Sequence, residues 1–73
     1  MTRRQLDLLK FYRDYSRQNG TGPSRDEVKA ALGIKSNSFI DFSLNSLAAK
    51  GFILRPAGRY RAVEVIRMPE GAQ

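Results

Sequence analysis

Between Gly33 and Ser36 the sequence leaves room for nothing but a tight turn, and apolar residues recur at helical spacing on both sides of it. Upstream, Ser24 offers an N-cap, Glu27 occupies the reciprocal position of a capping box, and Val28, Ala31 and Leu32 line one face of a short helix that Gly33 closes. Downstream, a second helical pattern begins at Ser36 or Asn37. On its wheel Ile40, Leu44 and Leu47 share one face, whereas Ser38, Phe42, Asn45 and Ala49 share the opposite one. Gly51 follows as the C′ residue. Two short helices joined in this way form a helix-turn-helix unit.

The flanking segments complete a small domain around that unit. Thr2 to Asn19 reads as a helix: Thr2 and Gln5 have capping-box spacing, Leu6, Leu8, Leu9, Phe11, Tyr12 and Tyr15 give it a broad apolar surface, and Arg13, Arg17 and Gln18 stay polar. A helix of this kind suits packing against two neighbours. It cannot run through Asn19-Gly20-Thr21-Gly22-Pro23, where glycines and a proline supply left-handed and φ-fixed positions in a row. After Gly51 the period changes: Phe52 to Arg55, the turn formers Pro56-Ala57-Gly58, then Arg59 to Arg67 read as a hairpin. In its second strand Val63 and Val65 fall on one side with Arg61 and Arg67, so the alternation is imperfect. The expected fold class is mainly α (α+β), a three-helix winged helix-turn-helix with a C-terminal two-stranded β-hairpin wing. Residues 1–67 are expected to form the domain and residues 68–73 a disordered tail.

A chain of 73 residues supports one modest core, burying only ~60% of the surface its unfolded form exposes. It contains neither cysteine nor histidine, so disulfides, thiolate metal sites and the commonest general base are excluded. The fold must stand on packing alone. No serine sits in a recognisable nucleophile motif, the carboxylates are scattered, Asp26 and Glu27 are explained by the dipole at a helix start, and there is no glycine-rich phosphate loop. An enzyme is not expected, nor a cofactor, a metal or a small-molecule substrate. No apolar run approaches the ~20 residues of a membrane span, and no hydrophobic stretch follows the basic N-terminus, which makes the cytoplasm the default location. The net charge of +6 and pI of 10.3 point to a polyanionic partner, although many small proteins are basic for solubility.

Taken together, Thr2-Arg3-Arg4-Gln5, Gly20-Thr21-Gly22-Pro23-Ser24-Arg25-Asp26-Glu27-Val28, Ala31-Leu32-Gly33-Ile34-Lys35-Ser36 and Leu44-Asn45-Ser46-Leu47-Ala48-Ala49-Lys50-Gly51-Phe52-Ile53 resemble the DNA-binding domain of the LexA repressor family. The likeness spans nearly the whole chain, in order and with matching spacing. It implies that the helix beginning near Ser36 enters the major groove and that the hairpin after Gly51 is the wing. By position Ser36, Ser38, Phe39, Asp41 and Phe42 would face bases, while Arg25, Lys35, Lys50 and the wing's basic residues would lie near the backbone. This sequence departs from the family at Phe39 and Phe42, where small or polar side chains are usual, so the family's operator does not transfer. The family also joins this domain to a C-terminal serine peptidase domain that dimerises and cleaves its own linker. Nothing of that follows Gln73, and the expectation is either an excised domain or a free-standing relative without self-cleavage.

The residues themselves support several readings of the exposed helix face. Ser38 can donate or accept, Asp41 can accept from a cytosine amino group, Asn45 can reach a base or a phosphate, and Phe39 can touch a thymine methyl. Ser36 is both an N-cap and a candidate base reader. Asp41 repels phosphate unless it finds a cytosine or a nearby arginine. Phe39 and Phe42 form an outward apolar pair that can meet thymine methyls, pack on the wing or join another protein. Arg55, Arg59 and Arg61 bracket the hairpin tip, where phosphate contact competes with simple solvation. Lys35 and Arg25 stand where a helix-turn-helix abuts the phosphate chain. The expected partner is double-stranded DNA, and because one domain reads few base pairs the expectation is a homodimer on a palindromic site or help from a further domain. The rival is a protein-interaction module using Phe39 and Phe42.

Overall fold

The computed structural model describes residues 2–55 and 63–69, which form helices α1 (Arg3–Asn19), α2 (Arg25–Leu32) and α3 (Asn37–Ala49) and strands β1 (Ile53–Leu54) and β2 (Glu64–Val65). Each helix begins where a short hydroxyl side chain can satisfy its orphan amides. Thr2 Oγ1 accepts from Gln5 N at 3.2 Å, Ser24 Oγ from Glu27 N at 3.2 Å, and Ser36 Oγ from Phe39 N at 3.2 Å. The box at Ser24 is reciprocal, since Ser24 N donates to Glu27 Oε1 at 2.9 Å.

The turn between α2 and α3 is set by Gly33, whose φ of +67° lies in the left-handed region. That conformation returns the chain so that Ile34 N donates to Lys29 O at 3.1 Å, a bond reaching back over the last turn of α2. Ile34 then plugs into the core at 7% exposure, which anchors the turn from below. Gly51 ends α3 in the same manner at φ +83°, with Phe52 N donating to Leu47 O at 3.0 Å.

The core is contiguous: Leu8, Leu9 and Tyr12 from α1 meet Val28, Ile34, Ile40, Leu44, Leu47, Ile53 and Val63, with Phe11, Leu32, Phe39, Ala48, Phe52, Val65 and Met68 packed at its margin. The broad face of α1 is thereby used, because this helix lies against α2, α3 and β2. Ala31 departs from the expected stripe and is exposed. In a helix of eight residues, Val28 and Leu32 one turn apart already cover the contact with the core.

Strands β1 and β2 pair antiparallel in the register Ile53 to Val65 and Leu54 to Glu64, and Ile66 N extends the ladder to Phe52 O at 2.9 Å. Alternation then holds on the returning strand: Val63 is buried, Glu64 exposed, Val65 half-buried and Ile66 exposed. The turn Pro56-Ala57-Gly58 and the flanking Arg59 and Arg61 lie outside the described residues, as do residues 70–73.

Candidate nucleic-acid interface

Helix α3 has two chemically distinct sides. Its underside, Ile40, Ser43, Leu44 and Leu47, is fully buried, and this fixes which residues point away. Ser36, Asn37, Ser38, Phe42 and Asn45 are exposed on the remaining surface, with Lys35 exposed just before it and Lys50 just after. The two phenylalanines do not form the outward pair expected from the sequence. Phe39 is half-buried and packs on the margin of the core, while Phe42 stands out at 66% exposure. Phe39 sits one turn before buried Ser43 and so flanks the underside, whereas Phe42 falls on the opposite arc.

Asp41 is the centre of the electrostatics on this face. Its Oδ1 accepts from Arg25 Nη2 at 2.6 Å and from Arg55 Nη2 at 3.0 Å, bringing the start of α2 and the end of β1 onto the middle of α3. Arg55 also donates through Nη1 to Asn45 Oδ1 at 2.7 Å and to the Asp41 carbonyl at 3.3 Å. Charge-assisted bonds of these lengths are about twice as strong as neutral ones. One carboxylate against two guanidinium groups leaves the cluster with a positive balance. Beneath it lies Tyr12, at 1% exposure, whose phenol burial pushes up to about 12, against the downward pull of Arg55 and Arg25 and with Asp41 adding to the rise.

Other polar side chains tie the scaffold of this face together. Lys29 Nζ donates to Asn37 Oδ1 at 3.3 Å, and Arg4 Nη1 donates to the Leu32 carbonyl at 2.9 Å, satisfying the C-terminal end of α2. Arg67, to which the sequence assigns a place in the hairpin but no role, donates through Nη2 to Lys50 O at 2.8 Å and lies with its guanidinium carbon 4.8 Å from the Phe52 ring centroid. It thereby fastens the returning strand to the end of α3. Of the residues expected at the DNA, the structure brings Ser36, Ser38, Asp41, Phe42 and Asn45 onto one surface, with Phe39 at its edge and Arg25 and Arg55 joined to Asp41. Asp41 and Asn45 are four residues apart on a helix, a spacing that marks them as neighbours.

A separate groove of about 570 Å³ runs between the end of α1 and β2, lined by Arg13, Arg17, Val65 and Met68 among others, and it contains no residue of α3. Among the described residues no carboxylates gather closely enough to hold a metal ion, and no helix is long and apolar enough to cross a membrane.

A short helix pair with a fixed turn, an outward polar face on its second helix and a hairpin behind it defines a winged helix-turn-helix domain. The LexA DNA-binding domain family model matches residues 1–62. The LexA repressor of Granulibacter bethesdensis is 46% identical over 72 residues, covering 99% of this chain and 30% of that protein. The LexA repressor of Cereibacter sphaeroides is 41% identical over 73 residues, covering 100% of this chain and 32% of that protein. The chain belongs to the LexA DNA-binding domain family, and it spans about a third of the length of these relatives.

Proposed function

We propose that this domain binds double-stranded DNA and acts in transcriptional repression, with α3 lying in the major groove. The observation that carries the reading is the division of α3 into an apolar underside and an outward polar face, in a chain that matches LexA repressors along its whole length. The major groove is ~12 Å wide and admits one helix, whose outward side chains then meet base edges. Ser36, Ser38, Asp41, Phe42 and Asn45 are the base-reading set, with Phe39, packed on the core margin, at its edge. Ser38 and Asn45 supply hydrogen bonds, Asp41 an acceptor, and Phe42 an apolar surface for thymine methyl groups.

The backbone is held by Lys35 and Lys50 at the two ends of α3, by Arg59 and Arg61 of the wing, and by the amides at the α3 N-terminus. Arg25 and Arg55, also expected there from the sequence, are engaged by Asp41. One domain reads few base pairs, and a homodimer on a palindromic site doubles the contact, with each half-site taking one α3.

Fluorescence anisotropy with labelled duplex DNA at low and moderate salt tests the proposal. Binding should weaken steeply with salt, by about 0.9 in logarithmic slope for each phosphate neutralised. Absence of binding at low salt refutes it. Sedimentation with a duplex carrying two half-sites should show two protein chains at saturation, and a single bound chain would contradict the dimer.

A further inference from the structure

An aspartate on a surface that approaches phosphates carries a repulsion that needs an explanation, and the geometry of the Asp41 cluster supplies one. Both arginines bind the same oxygen, Oδ1, while Oδ2 has no hydrogen-bonding partner among the described residues. The order of exposure is also informative. The side chains of Arg25 and Arg55 are 22% and 17% accessible, against 37% for Asp41, so the carboxylate side chain is the more open member of the cluster. Arg55 is further committed to Asn45 Oδ1, which leaves the Asn45 amide NH2 as a donor one helical turn from the Asp41 acceptor.

We infer that Arg25 and Arg55 are positioning residues for base recognition by Asp41: they saturate Oδ1 and leave Oδ2 to accept from an exocyclic amino group, cytosine N4 or adenine N6, in the major groove. This rests on the DNA-binding reading above. The two cations cancel the carboxylate's repulsion of the backbone, and holding one of its oxygens restricts the side chain before DNA arrives. Discrimination follows because reversing the base pair puts an acceptor, guanine O6 or thymine O4, where the amino group stood, and a desolvated carboxylate oxygen is left unpaired. The contribution of the two arginines is therefore to sequence preference more than to general affinity.

The test uses the full 73-residue chain. A preferred duplex is first selected from a random pool, and anisotropy titrations across single base-pair variants at two salt concentrations then compare the wild type with Asp41→Asn, Arg25→Gln, Arg55→Gln and the double variant Asp41→Asn/Arg55→Gln. Asp41→Asn should shift preference at one base pair by about tenfold. Arg25→Gln and Arg55→Gln should blunt preference at that same base pair while the salt slope stays unchanged, and the double variant should lose no more discrimination than Asp41→Asn alone. If either arginine variant instead lowers the slope by about 0.9 and weakens every duplex equally with preference intact, it is a phosphate contact and the inference is overturned. Circular dichroism confirms folding. Should a glutamine variant not fold, Arg25→Lys and Arg55→Lys keep the charge but lose the planar fork, and undiminished preference in both overturns the inference as well. Wild type that binds no duplex at low salt defeats the DNA-binding reading itself, an outcome separate from a wild type that binds while its arginine variants keep their preference.

Discussion

Replacing Tyr12 by phenylalanine should stabilise the domain at neutral pH and remove part of its sensitivity to alkali. Tyr12 is 1% exposed, and its hydroxyl is buried with no hydrogen-bonding partner among the described residues. A buried unsatisfied hydroxyl costs roughly 1–3 kcal/mol, part of which returns as a small void when the oxygen is deleted. A net gain of about 1 kcal/mol is expected at pH 7, or about 4–8 °C in Tm for a domain this small. Alkali provides the sharper measurement. The phenol of the folded protein is pushed up to about 12 from the ordinary 10.0, first by burial and against the pull of Arg55 and Arg25, with Asp41 adding to the rise. The unfolded chain therefore releases this proton at lower pH than the folded one. The stabilising contribution is complete below pH ~10, declines as the pH rises toward ~12 and is lost above that, amounting to roughly 2–3 kcal/mol over the interval. Urea denaturation followed by circular dichroism at pH 7, 9 and 12 should show the wild type losing about that much more stability than Tyr12→Phe. Contributions common to the two proteins cancel in the difference. A loss of 1 kcal/mol or more in Tyr12→Phe at pH 7 (about 1 kcal/mol being the gain expected), or identical alkaline losses in the two proteins, would refute the reasoning.

Three further substitutions address the scaffold and the exposed face. Gly33→Ala should cost about 1 kcal/mol in chemical denaturation, because φ is +67° there while the space for a methyl group is open, so backbone strain acts without a clash. Arg67→Met should cost about 0.5–1 kcal/mol through the lost bond to Lys50 O and the lost stacking on Phe52, with the loss shrinking at high salt; a salt-independent effect would point to packing alone. Phe42→Ala should change stability by less than about 0.5 kcal/mol, since the ring is 66% exposed, while altering the pattern of preferred duplexes; unfolding would show that the ring supports the core.

The elements were readable in the sequence because each end carries its own chemistry. Thr2, Ser24 and Ser36 cap as their spacing requires, and Gly33 and Gly51 adopt the left-handed turns that other residues resist. The two sides of α3 were equally legible, since Ile40, Leu44 and Leu47 repeat at helical intervals. The polar network was not. Arg25 and Arg55 stand 16 and 14 positions from Asp41, and their meeting depends on how α2 and β1 are laid across α3, which no local pattern encodes. The anchoring of Arg67 is equally non-local, its partner lying 17 positions back. Phe39 turns inward and not outward because helical spacing places it at the rim of the buried arc, where the reach of a long side chain decides which way it turns. Buried Gln5 and Ser43 were also unforeseen, being polar residues in positions chosen by packing.

The turn after Gly33 has no spare length: Ile34 is plugged into the interior and Ser36 already caps the next helix. A single insertion between those two points would have to be absorbed by drawing Ile34 out of the interior or by shifting the start of α3 away from its cap. Relatives with new target preferences are thus expected to differ by exchanging side chains along Asn37–Ala49 while keeping this connection at constant length.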